Sequence, residues 1–196
     1  MAKFRVSIQH DEKTLEALAR KQYDLFSVGN LAARSIISLA AVLYGVYNFS
    51  SWWGVLLVAY GSYLMTSTYS SARRSAHKTA EAIRAAGLPF PGSVYSFNDR
   101  SMNIEALNSA GKREDGGSGE KKDYSDIIKL GEDREYYYLF PNRFGGYMVS
   151  KEQLGERCRE FREFIEKRTG LRFVRRTAPF AALLEWMRSI IKPVRR

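Results

Sequence analysis

His10 and His77 are the chain's two histidines and Cys158 its one cysteine, so few side chains are available for metal or nucleophile chemistry. Neither histidine has a second His or Cys at ligand spacing, and no metal site is expected. Both read as polar surface residues. Cys158 falls on the apolar face of an expected helix, which favours a buried structural thiol over a reactive one. Asp99, Asp123, Asp126 and Asp133 could be paired as acid and base, but they occupy expected turns and strand edges where solvated carboxylates are ordinary. Gly116-Gly117-Ser118-Gly119 lacks the following Lys and helix of a phosphate cradle. Tyr136–Tyr138 would alternate between a core and a wet face and lack the basic neighbours that a base-stacking platform needs. No catalytic, cofactor-binding or metal-binding residue is nominated, and the expectation is a protein that is not an enzyme and needs no cofactor.

Charge directs attention elsewhere. The net charge is +10, divided as +2 over residues 1–34, +3 over 73–90, −1 over 91–170 and +6 over 171–196. A nucleic-acid-binding domain carries its basic face on the folded body. Here the excess flanks an apolar stretch and fills the tail, a pattern suited to anionic headgroups at about 1 kcal/mol per basic residue. Membrane lipids are the expected partner, and nucleic acid is not.

That stretch runs from Ser35 to Ala72, thirty-eight residues without a charge. A bilayer core of roughly 30 Å takes about 20 helical residues, so the stretch suggests a hairpin of two short spans over residues 31–72. The first would cover about 31–49, with Arg34 snorkelling from its start. The second would cover about 52–72. Trp52 and Trp53 fall at the turn, where amphipathic rings favour the membrane interface. Basic residues flank both outer ends and none lies in the turn, which puts both termini in the cytoplasm. No secretory signal pattern is visible at Lys3–Gln9. Ala41 and Gly45 on the first span, and Ser62, Thr66 and Ser70 on the second, are the small residues expected to form the seam. The absence of ionisable residues within the spans favours an anchor over a channel.

The remainder divides into segments. Residues 1–30 read as a strand (Phe4, Val6 and Ile8 alternating with polar residues) and a helix capped by Asp11, with Leu15, Leu18, Ala19 and Phe26 on one stripe. Residues 73–90 continue the second span as a basic helix, ending at the breaker cluster Gly87-Leu-Pro-Phe-Pro-Gly92. Residues 91–170 read as antiparallel strands: Val94–Phe97, Met102–Leu107, Tyr124–Leu130, Glu135–Phe140 and Tyr147–Val149. A polar glycine-rich loop spans Ser109–Glu120, and a turn is expected at Gly131-Glu132-Asp133. A capping box at Ser150 and Gln153 would start a helix over Lys151–Arg168, closing the sheet with Leu154, Cys158, Phe161 and Ile165. The fold class expected is thus an α+β membrane protein.

The hairpin, Tyr124-Ser-Asp-Ile-Ile-Lys-Leu130, Glu135-Tyr-Tyr-Tyr-Leu-Phe140 and Glu160-Phe-Arg-Glu-Phe164 together resemble the bacterial YcxB-like family. The likeness covers most of residues 1–168 and is specific from about Tyr95 to Phe164. It implies a small protein of the bacterial inner membrane whose cytosolic domain is pleckstrin-homology-like; it implies no activity. Two features depart from that pattern: Ser150-Lys151 stands where a proline is usual, and the basic tail looks like an addition.

The tail, residues 171–196, reads as an amphipathic helix from near Pro179. Phe180, Leu183, Leu184, Met187, Ile191 and Val194 share one arc with Trp186 at its edge, suiting a lipid interface or packing against protein. Arg73, Arg74, Lys78, Arg175, Arg176, Lys192, Arg195 and Arg196 are the expected headgroup contacts. The functional expectation is an interaction or regulatory module at the inner membrane face, with an unidentified protein partner. An immunity-type protein neutralising a membrane-acting toxin, a membrane-bound enzyme and a homo-oligomer remain alternatives.

Overall fold

A computed structural model of the chain describes residues 2–107 and 119–175. Strand β1 (Phe4–Gln9) buries Phe4, Val6 and Ile8 and exposes the residues between, the two-residue period of a strand with one wet face. Asp11 then caps helix α1 (Glu12–Phe26). Its carboxylate accepts from the Thr14 amide at 2.8 Å while the Asp11 amide donates to Thr14 Oγ1 at 2.7 Å, a reciprocal capping box. The buried positions of α1 are Thr14, Lys21 and Leu25, with Ala17, Leu18 and Phe26 at the margin. The expected stripe is rotated because α1 lies against two partners, a helix on one side and a sheet on the other.

One residue, Ser27, separates α1 from α2 (Val28–Tyr47), and a short turn leads into α3 (Trp52–Ala85). At 34 residues and about 1.5 Å per residue, α3 is a rod of roughly 50 Å. Its apolar half and its basic half form one uninterrupted helix. Ala72, Ala76 and Ala80 form a buried ridge at four-residue spacing, along which α1 packs. Gly87, at φ 64°, turns the chain out of α3, a backbone setting open to glycine at little cost.

Strands β2 (Gly92–Phe97), β3 (Ser101–Leu107) and β4 (Glu120–Asp123) join β1 in an antiparallel sheet ordered β1-β2-β3-β4. Phe4 stands opposite Phe97 and Val6 opposite Tyr95. The first strand therefore pairs with a strand on the far side of all three helices, and α1–α3 are an excursion between two sheet neighbours. A second antiparallel sheet holds β5 (Lys129–Glu132), β6 (Tyr136–Phe140) and β7 (Tyr147–Ser150).

Several local expectations are corrected. The strand expected over Tyr124–Leu130 is a 3-10 turn, Tyr124–Asp126, followed by β5. Tyr124 is buried there with its hydroxyl donating to the Asn98 carbonyl at 2.7 Å. The turn expected at Gly131-Glu132-Asp133 lies two residues later, since Gly131 and Glu132 pair with Tyr138 and Tyr137. Asp133 organises the turn by accepting from the amides of Glu135 and Tyr136. The closing helix is broken into α4 (Lys151–Leu154), a 3-10 turn and α5 (Cys158–Thr169). Gly155, at φ 53°, makes the break. The Ser150 side chain makes no capping bond; Gln153 Oε1 instead accepts from the Ser7 amide at 2.9 Å and ties α4 to β1.

The core joins both sheets to α5. Phe161 meets Phe97 edge-on at 4.9 Å and Phe4 at 5.2 Å, and Tyr137 lies 5.5 Å from the same ring. Such aromatic pairs contribute about 0.5–1.5 kcal/mol each beyond burial. Gly170, at φ 71°, ends α5. Phe173 is then buried against Tyr137 at 4.8 Å. Val174 donates to the Leu130 carbonyl and accepts from the Glu132 amide, both at 3.1 Å, covering the β5 edge with a parallel bridge.

Candidate functional site

The antiparallel pair α2–α3 packs through small residues at heptad spacing. Leu31, Ser38 and Gly45 of α2 are buried against Gly54, Gly61 and Thr68 of α3. A Cβ placed on Gly45 would lie 2.7 Å from the Gly54 carbonyl oxygen, and one on Gly61 would lie 2.8 Å from that of Ser38. Backbones this close need residues without a Cβ at the crossing. The Ser38 hydroxyl donates across the seam to the Gly61 carbonyl. Of the residues expected here, Gly45 holds its place, whereas Ser62 and Thr66 are exposed and Ala41 and Ser70 half-buried. The α3 hydroxyls turn inward along their own helix: Thr66 donates to the Ser62 carbonyl at 2.9 Å and Thr68 to that of Leu64 at 2.8 Å. Bonds of this kind satisfy polar groups inside the helix and lower the cost of an apolar surrounding.

The outer faces of the pair are apolar and open. Ile36, Ile37, Leu39, Leu43 and Leu56 all exceed half exposure. Among the described residues α2 is the one helix long and apolar enough to cross a membrane, and only 17 % of its apolar window is buried. A core helix of a water-soluble body would be covered. Two spans were expected, and by composition one meets that standard; Ser, Thr and Tyr dilute α3. At the tip Trp52 is 76 % exposed, while Trp53 is half-buried with its ring 5.8 Å from that of Tyr44.

The expected headgroup cations are differently disposed. Arg73 Nε lies 3.7 Å from Glu16, and Arg74 donates to the Ser67 carbonyl at 3.2 Å. Lys78 is exposed on α3. Arg175 is engaged by Glu132 at 3.0 Å and lines a cleft with Ala17 and Arg20 of α1. Arg176, Lys192, Arg195 and Arg196, the apolar arc Phe180, Leu183, Leu184, Met187, Ile191 and Val194, Trp186, and Gly116–Ser118 of the glycine-rich loop all lie outside the described residues.

His77 is an exposed surface residue, as expected, whereas His10 is not. His77 lies 3.2 Å from Glu81 and 3.7 Å from Glu12, which also binds Arg84 at 2.7 Å. His10, between β1 and α1, is mostly enclosed, and burial lowers its pKa below the ordinary value of 6.5 against a smaller opposing effect from Asp11. Its Nδ1 is buried without a hydrogen-bond partner among the described residues. Cys158 is half-buried, with its thiol donating to the Lys151 carbonyl at 3.2 Å.

Sequence reasoning missed one cluster. Glu132, at the end of β5, is 3 % exposed and carries three cations: Arg175 at 3.0 Å, Lys151 at 3.5 Å and Arg162 at 3.6 Å. Beside it the Tyr138 hydroxyl donates to the Asp133 carboxylate, and burial together with that bond raises the phenol's pKa. Lys21 of α1 is buried at the same place, and desolvation lowers its pKa despite nearby Asp24 and Asp133. A cleft of about 520 Å³ opens here, lined by Arg20, Lys21, Glu132, Asp133, Arg134 and Arg175 among others. Both Glu132 oxygens face cations that belong to the fold, so the carboxylate serves as a tie between β5, α5 and the chain beyond Gly170. The available signal was Glu132 standing next to a strand, had the turn been set two residues later.

A second cleft of about 380 Å³ lies where α1 passes into α2, between Gln22, Tyr23, Phe26 and Ser27, the Ser71–Ser75 part of α3, and Arg143 of the β6–β7 turn. Among the described residues no group of three or more His, Cys, Asp or Glu is arranged to hold a metal ion. No family model, curated protein or solved structure matches this chain.

Proposed function

We propose that this chain is a non-enzymatic interaction module anchored in the bacterial inner membrane by the α2–α3 hairpin, with both termini in the cytoplasm. The observation that carries this reading is the exposed apolar surface of α2 and α3 around a closed glycine seam. In water such a face costs roughly 25 cal/mol per Å² of apolar surface, and lipid removes that cost. α3 completes the return crossing, its hydroxyls already bonded within the helix. The charge-free Asn48–Trp53 turn and the basic residues at the other end favour the cytoplasmic orientation.

The four- and three-stranded sheets with α5 against them support a pleckstrin-homology-like reading of the folded part, and with it the YcxB-like resemblance. In this reading the hairpin occupies the connection between the first two strands. The domain is thereby fastened at two points and held close to the bilayer, which raises its effective concentration toward membrane-bound protein partners. An immunity-type role is one particular form of such binding. The cleft at Glu132 is the feature that favours an enzyme instead, but its central acid is engaged by Lys151, Arg162 and Arg175. Alkaline carbonate washing of membranes from expressing cells tests the anchor: the full chain stays in the pellet and leaves it in detergent. Release into the wash would contradict the reading.

A further inference from the structure

The cleft at the α1–α2 junction has a position and a chemistry that the anchor reading leaves unused. It opens beside Ser27, one residue before α2 begins, and beside Ala72 on α3, where the apolar half of that helix ends. If the 20 residues of α2 span about 30 Å, this is the level at which hydrocarbon gives way to headgroups. The polar residues that line it are Gln22, Tyr23, Ser27, Ser71, Ser75 and Arg143. Among the described residues that line the cleft, Arg143 is the one charged residue and none is Asp or Glu.

Arg143 is held there by the backbone, because the Gln22 side-chain amide donates to the Arg143 carbonyl. Asn142 Oδ1 accepts from the amides of Phe144 at 2.8 Å and Gly145 at 3.1 Å, fixing the turn. The Arg143 guanidinium carbon lies 4.8 Å from the Phe144 ring centroid, and that ring is 78 % exposed. Ile128, bonded through its amide to the Phe140 carbonyl at the same end of the sheet, is 50 % exposed. Lys129 beside it donates to the Leu25 carbonyl. An open aromatic and an open aliphatic residue thus accompany two cations at the hairpin's base.

We propose that this cleft seats the phosphate of a membrane phospholipid headgroup, with Arg143 as its cation and Phe144 reaching the acyl boundary beside it. The volume equals on the order of a dozen waters, room for a phosphate and its neighbouring glycerol carbons. Guanidinium is suited to phosphate because its planar donors match two oxygens at once. The β6–β7 turn becomes a second contact with the bilayer and sets the tilt of the folded part against the hairpin. This inference rests on the anchor reading and can fail separately from it.

The test uses the full chain in a non-ionic detergent, titrated with short-chain phosphatidylglycerol or with inorganic phosphate while thermal unfolding is followed. Lipid raises the midpoint of the natural chain in a saturable manner. Arg143→Gln weakens the apparent affinity tenfold or more, whereas Arg5→Gln, the same charge change on the exposed face of β1, leaves it unaltered. Equal affinity in Arg143→Gln and the natural chain overturns the proposal. So does saturation by inorganic phosphate at the lipid's concentration, which would make the site one for a soluble anion. Carbonate retention of Arg143→Gln membranes is read in parallel. Retention with unchanged lipid affinity defeats the cleft alone, and loss of retention in the natural chain defeats the anchor.

Discussion

Arg175 Nε lies 3.0 Å from Glu132 Oε1, so the last described residue of the chain is bound to a carboxylate that is 3 % exposed. The pair is reinforced by the backbone exchange between Val174 and the Leu130–Glu132 edge. A basic residue assigned from composition to the membrane surface is, in the structure, a clasp on β5. Lys151 and Arg162 bind the same carboxylate from α4 and α5.

Glu132→Gln keeps the shape of that side chain and removes its charge. The expected cost is about 3 kcal/mol, the low end for breaking a buried ion pair, because Arg162 and Arg175 reach solvent and are partly screened. Chemical denaturation in detergent measures it. Limited trypsin digestion should also cleave faster after Arg172 in the variant. Unchanged stability and unchanged cleavage would show that the cluster ties nothing down.

The hairpin seam gives a second expectation. Gly61→Leu forces side-chain atoms onto the Ser38 carbonyl and Val42, where even a Cβ comes within 2.8 Å. Overpacking of this kind costs about 1–3 kcal/mol, read as a lower unfolding midpoint in detergent. Ser62→Leu, on an exposed face of the same helix, should leave the midpoint in place. If the two variants behave alike, Gly61 does not lie at a crossing.

His10 makes stability depend on pH. Its folded pKa lies below 6.5, chiefly through burial, so the unfolded chain binds the proton more readily. Stability is then complete above about pH 6.5, falls as pH drops toward the lowered folded value, and levels off below it. Comparing natural chain and His10→Gln between pH 7.5 and 5 isolates this contribution, since Asp11 is pushed below its usual 3.8 and titrates lower still. The natural chain should show the steeper loss. Parallel curves would mean that His10 accepts its proton inside the fold at no cost.

Local signals carried the sequence reading where it succeeded. The alternation at Phe4, Val6 and Ile8, the Asp11 cap and the stop at Gly87 all depend on residues within a few positions of one another. Pairing is a different matter. β1 meets β2 across some eighty intervening residues, most of them in α1–α3, and nothing in Phe4–Gln9 names Gly92–Phe97 as its neighbour. Gln153 looked like a helix cap because Ser150 precedes it by three; a distant amide, Ser7, captured its oxygen. The seam was half visible, since Gly45, Gly54 and Gly61 stand in the sequence. Choosing them over Ser62 and Thr66 required knowing which face of each helix met the other. Glu132 and Lys21 show the limit most sharply, because charged residues read as solvated until a fold supplies their partners.

The anchor claim is tested most directly by where the hairpin tip emerges. In a Cys158→Ser background, single cysteines at Ser50, in the tip, and at Ser125, in the folded part, are treated with a membrane-impermeant maleimide on intact spheroplasts. Ser50→Cys should label at once and Ser125→Cys only after the membrane is opened. If Ser50→Cys also waits for permeabilisation, the hairpin does not cross and α2 and α3 are covered by something other than a bilayer.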